Sequence, residues 1–164
     1  MAVGDITFLN VAGGSEDGAR KIPVAVNSTI NPGEPVTVTL GAGWSGVAAL
    51  TGTPLVASAN VAGIASSKPS ATNPNSALWT IDVVPVKDGL VCIASALSAA
   101  AVATQAQYDA LVGKRVLLDL TTGVYTVATA TADAAANGIT IVDIDVAQYP
   151  GKVAFTIKAG CSAF

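Results

Sequence analysis

Arg115-Val116-Leu117-Leu118-Asp119-Leu120-Thr121-Thr122-Gly123-Val124-Tyr125-Thr126-Val127-Ala128-Thr129 decides the fold class. Val116, Leu118 and Leu120 alternate with their neighbours, so they share one face of a strand. Thr121-Thr122-Gly123 turns the chain, with glycine free to take a positive φ, and Val124 to Thr129 returns. Two period-two runs joined by a glycine turn form a β-hairpin.

The same pattern extends in both directions. Downstream, Ala130 to Gly138 is a small-residue loop, Ile139 to Val146 is a strand, and Tyr149-Pro150-Gly151 turns into a strand carrying Val153, Phe155 and Ile157. Upstream, the helical pattern lies at Gln105 to Val112. Thr104 suits its N-cap, Tyr108, Leu111 and Val112 follow the 3.6 period, and Gly113 suits the residue after its end. Ala96 to Ala103 either extends this helix backwards or links it loosely. Before it, Trp79 to Val86 and Leu90 to Ala94 read as two strands around a hairpin-like turn at Lys87-Asp88-Gly89. Ser66 to Ser76, with Pro69 and Pro74, reads as a loop. Val61 to Ala65 is a short buried strand. Ile22, Val24 and Val26 form one strand and Val36, Val38 and Leu40 another. They are separated by the turn Asn31-Pro32-Gly33-Glu34-Pro35, in which Pro35 opens the second strand without a ladder donor.

The expected fold is mainly β: a compact sandwich-like or barrel-like domain with one or two short helices and an extended N-terminal arm. Residues 1–19 are that arm or a first strand, residues 20–96 a β-rich unit, and residues 97–164 a helix-plus-hairpin unit.

Composition limits the function. The 164 residues suit one domain or two small ones. Charged residues are 12%, against about 25% in typical soluble domains. Hydrophobic residues are 51% but aromatics only 5%, and the mean hydropathy is +0.58. A monomer of 16.1 kDa exposes roughly 7,400 Å², so its charges would stand about 390 Å² apiece. Average composition gives about 180 Å². Monomers rarely leave large uncharged apolar areas open to water, so much of this surface is expected to meet other protein. The net charge of −3 offers no cationic footprint for nucleic acid. The absence of His removes histidine metal sites and His-dependent nucleophilic catalysis in cis. No secretory leader is expected in Met1 to Asn10, and no apolar run reaches the roughly 20 residues of a membrane helix.

The remaining motifs read as structural. Gly13-Gly14-Ser15-Glu16-Asp17-Gly18-Ala19-Arg20-Lys21 fails the phosphate-loop spacing, because Ala19 stands where Lys is needed, and it precedes a strand. Asp143 and Asp145 share one face of the expected strand, but two carboxylates fall short of a calcium shell, so a solvated face is expected. Cys92, in Leu90-Val91-Cys92-Ile93, reads as a small buried hydrophobe, and Cys161 makes no disulfide framework with it. Lys114-Arg115 complements the helix dipole. Trp79 is expected in the core. Trp44, between Gly43 and Gly46, is a loop anchor or an interface contact. Carboxylates, lysines and serines cluster in no catalytic spacing, so neither enzymatic activity nor a cofactor or metal is expected.

The runs Lys21-Ile22-Pro23-Val24-Ala25-Val26, Ile30-Asn31-Pro32-Gly33-Glu34-Pro35-Val36-Thr37-Val38, Val61-Ala62-Gly63-Ile64-Ala65, Trp79-Thr80-Ile81-Asp82-Val83 and Gly89-Leu90-Val91 resemble the head decoration, or capsid cement, proteins of tailed bacteriophages. The resemblance covers roughly residues 20 to 95. Tyr108 to Val116 is less typical of that family and reads as an added sub-unit. The resemblance implies a structural, non-enzymatic virion protein. Made in the host cytoplasm, it would sit as a homotrimer on the outer capsid surface and clamp neighbouring major capsid subunits, with no nucleic-acid or membrane partner. It also implies an arm that adds a strand to a capsid sheet. The partner contacts are then Ile6, Phe8 and Val11 of the arm, and Trp44; the competing reading makes the arm segment an ordinary first strand of the domain's own sheet. The alternative functions are another virion component (a head spike, fibre base or tail element) and a small β-rich binding module.

Overall fold

The computed structural model describes residues 6–10, 19–25, 29–31, 33–40, 45–49, 61–65, 71–72, 80–86, 90–121 and 124–158. Their strands are β1 (Thr7–Asn10), β2 (Arg20–Pro23), β3 (Thr29–Ile30), β4 (Pro35–Leu40), β5 (Ser45–Ala49), β6 (Val61–Ala65), β7 (Ala71–Thr72), β8 (Thr80–Pro85), β9 (Val91–Ala96), β10 (Arg115–Thr121), β11 (Val124–Ala128), β12 (Ile139–Val142) and β13 (Lys152–Ile157). The one α-helix among them, α1, spans Gln105–Asp109 and follows a 3-10 turn at Ala99–Val102. The chain is mainly β, as its alternation predicts.

The central hairpin is β10–β11, in register from Leu117 opposite Ala128 to Thr121 opposite Val124. It sits in the sheet β1-β9-β11-β10-β12-β13, and β13 also pairs back onto β9. The five strands β9, β11, β10, β12 and β13 therefore close into a barrel, which removes their open edges. Side chains at paired positions share a face, so the register fills the interior: Cys92 lies opposite Phe155, Ala94 opposite Val153, Leu118 opposite Val127, and Val116 opposite Ile139. All eight are buried.

The second sheet has the order β2-β8-β6-β4-β5 and uses both its faces. Ile81 and Val83 pack with Val24, Ile30, Val36 and Ala65 in a small core. Val84, Val86, Val61 and Ile64 join the core of the barrel instead. Gly63 makes the tight β6–β8 approach possible, since a Cβ there would collide with the Val84 carbonyl oxygen and stand 2.5 Å from Val83 Cγ1.

Several expectations are corrected. β8 and β9 form no hairpin: they lie in different sheets, and residues 87–89 between them lie outside the described residues. β9 pairs with β1 as well as with β11 and β13, which follow it. The loop expected at residues 66–76 contains β7, which pairs with β3. The helix stops at Asp109 rather than Val112. Leu111 N–H and Val112 N–H each bond three residues back, and Gly113, at φ +83°, donates to Ile141 O and starts the β10–β12 pairing.

The strand expected to reach Val146 stops at Val142. The alternation nevertheless persists, with Asp143 and Asp145 exposed and Ile144 and Val146 buried. Gln105 takes the place of a partner strand: its Nε2 donates to Ile144 O (3.1 Å) and its Oε1 accepts from Val146 N (3.0 Å). Asp145 Oδ1 then accepts from Ala147 N (2.9 Å) and turns the chain. The expected Asn31–Pro35 turn is present, with Gly33 at φ +77°. The buried Glu34 carboxylate accepts from Asn31 N (2.8 Å) and Asn31 Nδ2 (3.0 Å).

Candidate assembly surface

Of the expected partner contacts Ile6, Phe8, Val11 and Trp44, the structure describes the side chain of Ile6. Ile6 is 2% exposed and lies in the barrel core. β1 pairs antiparallel with β9, placing Thr7 opposite Ile93 and Phe8 opposite Cys92. Of the two readings of this segment, residues 7–10 take that of a strand in the domain's own sheet, with Ile6 buried in its core. The Phe8 side chain, Val11, Trp44, Trp79 and Cys161 lie outside the described residues. Cys92 is fully buried, and burial pushes its thiol up to about 12.

A different surface stands at the barrel end where β9 and β12 stop and β13 begins. The 3-10 turn and α1 cap this end. α1 is too short to persist alone and is held by its ends and its contacts. Thr104 Oγ1 accepts from Gln107 N (3.3 Å) while Gln107 Oε1 accepts from Thr104 N (3.1 Å), a reciprocal capping box. Tyr108 is fully buried; its hydroxyl donates to Val142 O (2.8 Å) and accepts from Ala154 N (2.9 Å). Burial raises its pKa most, and the Asp143 charge adds to the rise against the lowering effect of the Ala154 hydrogen bond.

Outside this anchored layer the cap is built largely of small side chains, with Asp109 at the end of α1 as its charge. Ala99, Ala100, Ala103, Ala106 and Ala110 are exposed. Leu97 and Val112, at 49% and 40%, are the exposed large hydrophobics among the described residues. Between the 3-10 turn and the 145–151 turn lies an open hollow of about 590 Å³, walled by Ala99, Val102, Ala103, Val146 and Pro150. Its polar neighbours Gln105 and Asp145 already bond backbone groups. Beside the cap, Arg115 Nε donates to Asp133 Oδ1 (2.9 Å), and this contact holds the Asp133 carboxyl below its usual range. Among the described residues no group of His, Cys, Asp and Glu converges to hold a metal ion, and no helix is long and apolar enough to cross a membrane. The arrangement is suited to contact through van der Waals packing. Sequence reading missed it because Ala96–Ala103 carries no period, although Leu97 and Val112 amid alanines are its signal.

Fold and surface together define a mainly β protein with a closed five-strand barrel and an alanine-rich cap. Comparison with protein-family models, curated proteins and solved structures finds no match.

Proposed function

We propose that this chain is a structural virion protein that decorates the outer surface of a tailed-phage capsid and clamps neighbouring major capsid subunits, acting as a homotrimer. It would be made in the host cytoplasm and would need no cofactor. The observation that carries the reading is the sparse charge of the surface. The chain exposes 7755 Å² and has only 8 basic and 11 acidic residues to cover it. The alanine-rich cap with exposed Leu97 and Val112 is the described part of that surface best suited to protein contact. The resemblance of residues 20–95 to capsid cement proteins supplies the class of partner. On a lattice, many copies turn weak neutral contacts into firm attachment.

Quantitative mass spectrometry of density-purified particles tests this. Abundance close to that of a major capsid protein supports a lattice-wide role. A few copies per particle move the protein to a vertex or tail, and absence from particles removes the virion reading.

A further inference from the structure

The hollow in the cap has two walls, and hydrogen bonds fasten one to the other. The first wall is the 3-10 turn with the start of α1, and the second is the 145–151 turn. Gln105 joins them through Ile144 O and Val146 N, and Ala96 N donates to Gly151 O (2.9 Å). The space of about 590 Å³ is therefore built before any partner arrives. Its walls are mostly aliphatic, and Asp145 is the charged residue among those that line it.

The carboxylates around this hollow have no cation of their own. Asp145 Oδ1 accepts from Ala147 N (2.9 Å), which fixes the side chain and leaves its other oxygen free. Gln105 Nε2 donates both to Asp109 Oδ1 (2.7 Å) and to Ile144 O (3.1 Å), so it holds the Asp109 carboxylate against the backbone between Asp143 and Asp145. All three aspartates are exposed. Among the described residues none of them forms an ion pair. Arg115 is paired with Asp133, Lys114 acts on that same carboxylate, and Lys152 Nζ donates to Ser95 Oγ (2.9 Å).

We propose that the hollow receives a lysine or arginine side chain presented by a partner protein, with its aliphatic stem against the alanine and valine walls and its cationic head at Asp145. Charge complementarity selects this occupant. Long basic side chains bury their stems along apolar surface while the head stays at the wet edge, which is the order of surfaces found here. Three carboxylates at one end raise the local attraction for a cation and repel an acidic side chain. A purely apolar side chain would fill the walls but leave the Asp145 charge without a partner at the edge of the contact. The inference rests on the reading of the cap as a protein-contact surface and adds the chemistry of that contact. It does not depend on the partner being a capsid subunit.

The test titrates the full chain with acetylated, amidated tripeptides and follows backbone amide shifts by NMR. The probes are Ala-Lys-Ala and Ala-Arg-Ala, and the controls are Ala-norleucine-Ala and Ala-Glu-Ala. At low ionic strength a basic peptide should shift the amides of Val102, Val146, Ala147 and Gly151 saturably, with a Kd of about 1–10 mM for so small a ligand. It should bind about two- to fivefold tighter than the norleucine peptide, the range of an exposed ion pair. Asp145→Asn keeps the oxygen that accepts from Ala147 N and should remove that preference. Raising the salt from about 20 mM to about 300 mM should shrink it in the unaltered chain, a readout that needs no variant. Equal binding of the norleucine peptide, tighter binding of the glutamate peptide, or no shift at these amides overturns the proposal. So does a lysine preference that survives both Asp145→Asn and high salt. No capsid enters this experiment, so its failure leaves the virion reading standing, and absence of the protein from particles leaves this site standing.

Discussion

The Tyr108 hydroxyl stands between Ala154 and its register partner Val142, accepting from Ala154 N and donating to Val142 O. A side chain from α1 thus completes the last rung of the β12–β13 ladder and fastens the cap to the barrel. Tyr108→Phe keeps the ring and strands a buried N–H and carbonyl. It should cost about 1–3 kcal/mol, read by denaturant unfolding, with an unchanged slope showing that the barrel itself persists.

Gly63 sets the closest approach within the second sheet. Gly63→Ala drives a methyl into the Val84 carbonyl and Val83, backbone on one side and a buried side chain on the other. The expected loss is about 1–3 kcal/mol, as for overpacked cores. Thermal unfolding of this variant beside a solvent-facing Ala106→Gly control separates the clash from a general effect of the change.

Cys92 gives a pH signature. Its thiol is raised from 9.0 to about 12 by burial. Because the folded state holds the proton more tightly, the linked stability is complete below pH 9.0 and is lost as pH rises from there towards 12. In a Cys161→Ser background, Cys92 should resist thiol reagents at neutral pH while folded and react only as the chain unfolds. Cys92→Ala should flatten the alkaline part of the stability curve.

The cap surface predicts a separation of folding from attachment. Leu97→Asp and Val112→Asp replace exposed side chains, so each should change stability by less than about 0.5 kcal/mol. Under the proposed capsid role, together they should release the protein from capsids in a sedimentation assay. Retention of both variants at wild-type level would place the contact elsewhere on the surface.

Much of the fold was legible because its information is local. The alternation in Val116–Leu120, Val124–Thr129 and Val153–Ile157 marks strands, Thr104 marks a helix start, and the glycine-bearing turns at 33 and 151 sit where the sequence puts them. Partner choice was not legible, because it depends on residues distant in sequence. Lys87-Asp88-Gly89 has hairpin chemistry, yet Val84 and Val86 face the barrel core and the chain crosses to a new sheet. The Asp143–Val146 alternation has no ladder because a glutamine forty residues upstream occupies the backbone groups a strand would use. The apolar N-terminal residues carry two readings, a partner contact and a first strand, and Ile6 is buried in its own protein's core. Apolarity alone does not separate the two uses.

β1 and β13 flank β9 on opposite sides, both antiparallel to it and both reaching Cys92 and Ile93. They therefore run parallel to each other, with residue 6 leaving near the capped end and residue 158 near the other. Tension applied between these two points slides both strands along β9 in opposite directions. The ladder bonds lie across that direction, so they are loaded together rather than opened one at a time. The strand that closes the barrel thereby also acts as the middle member of a lap joint, an arrangement that resists stretching far better than peeling.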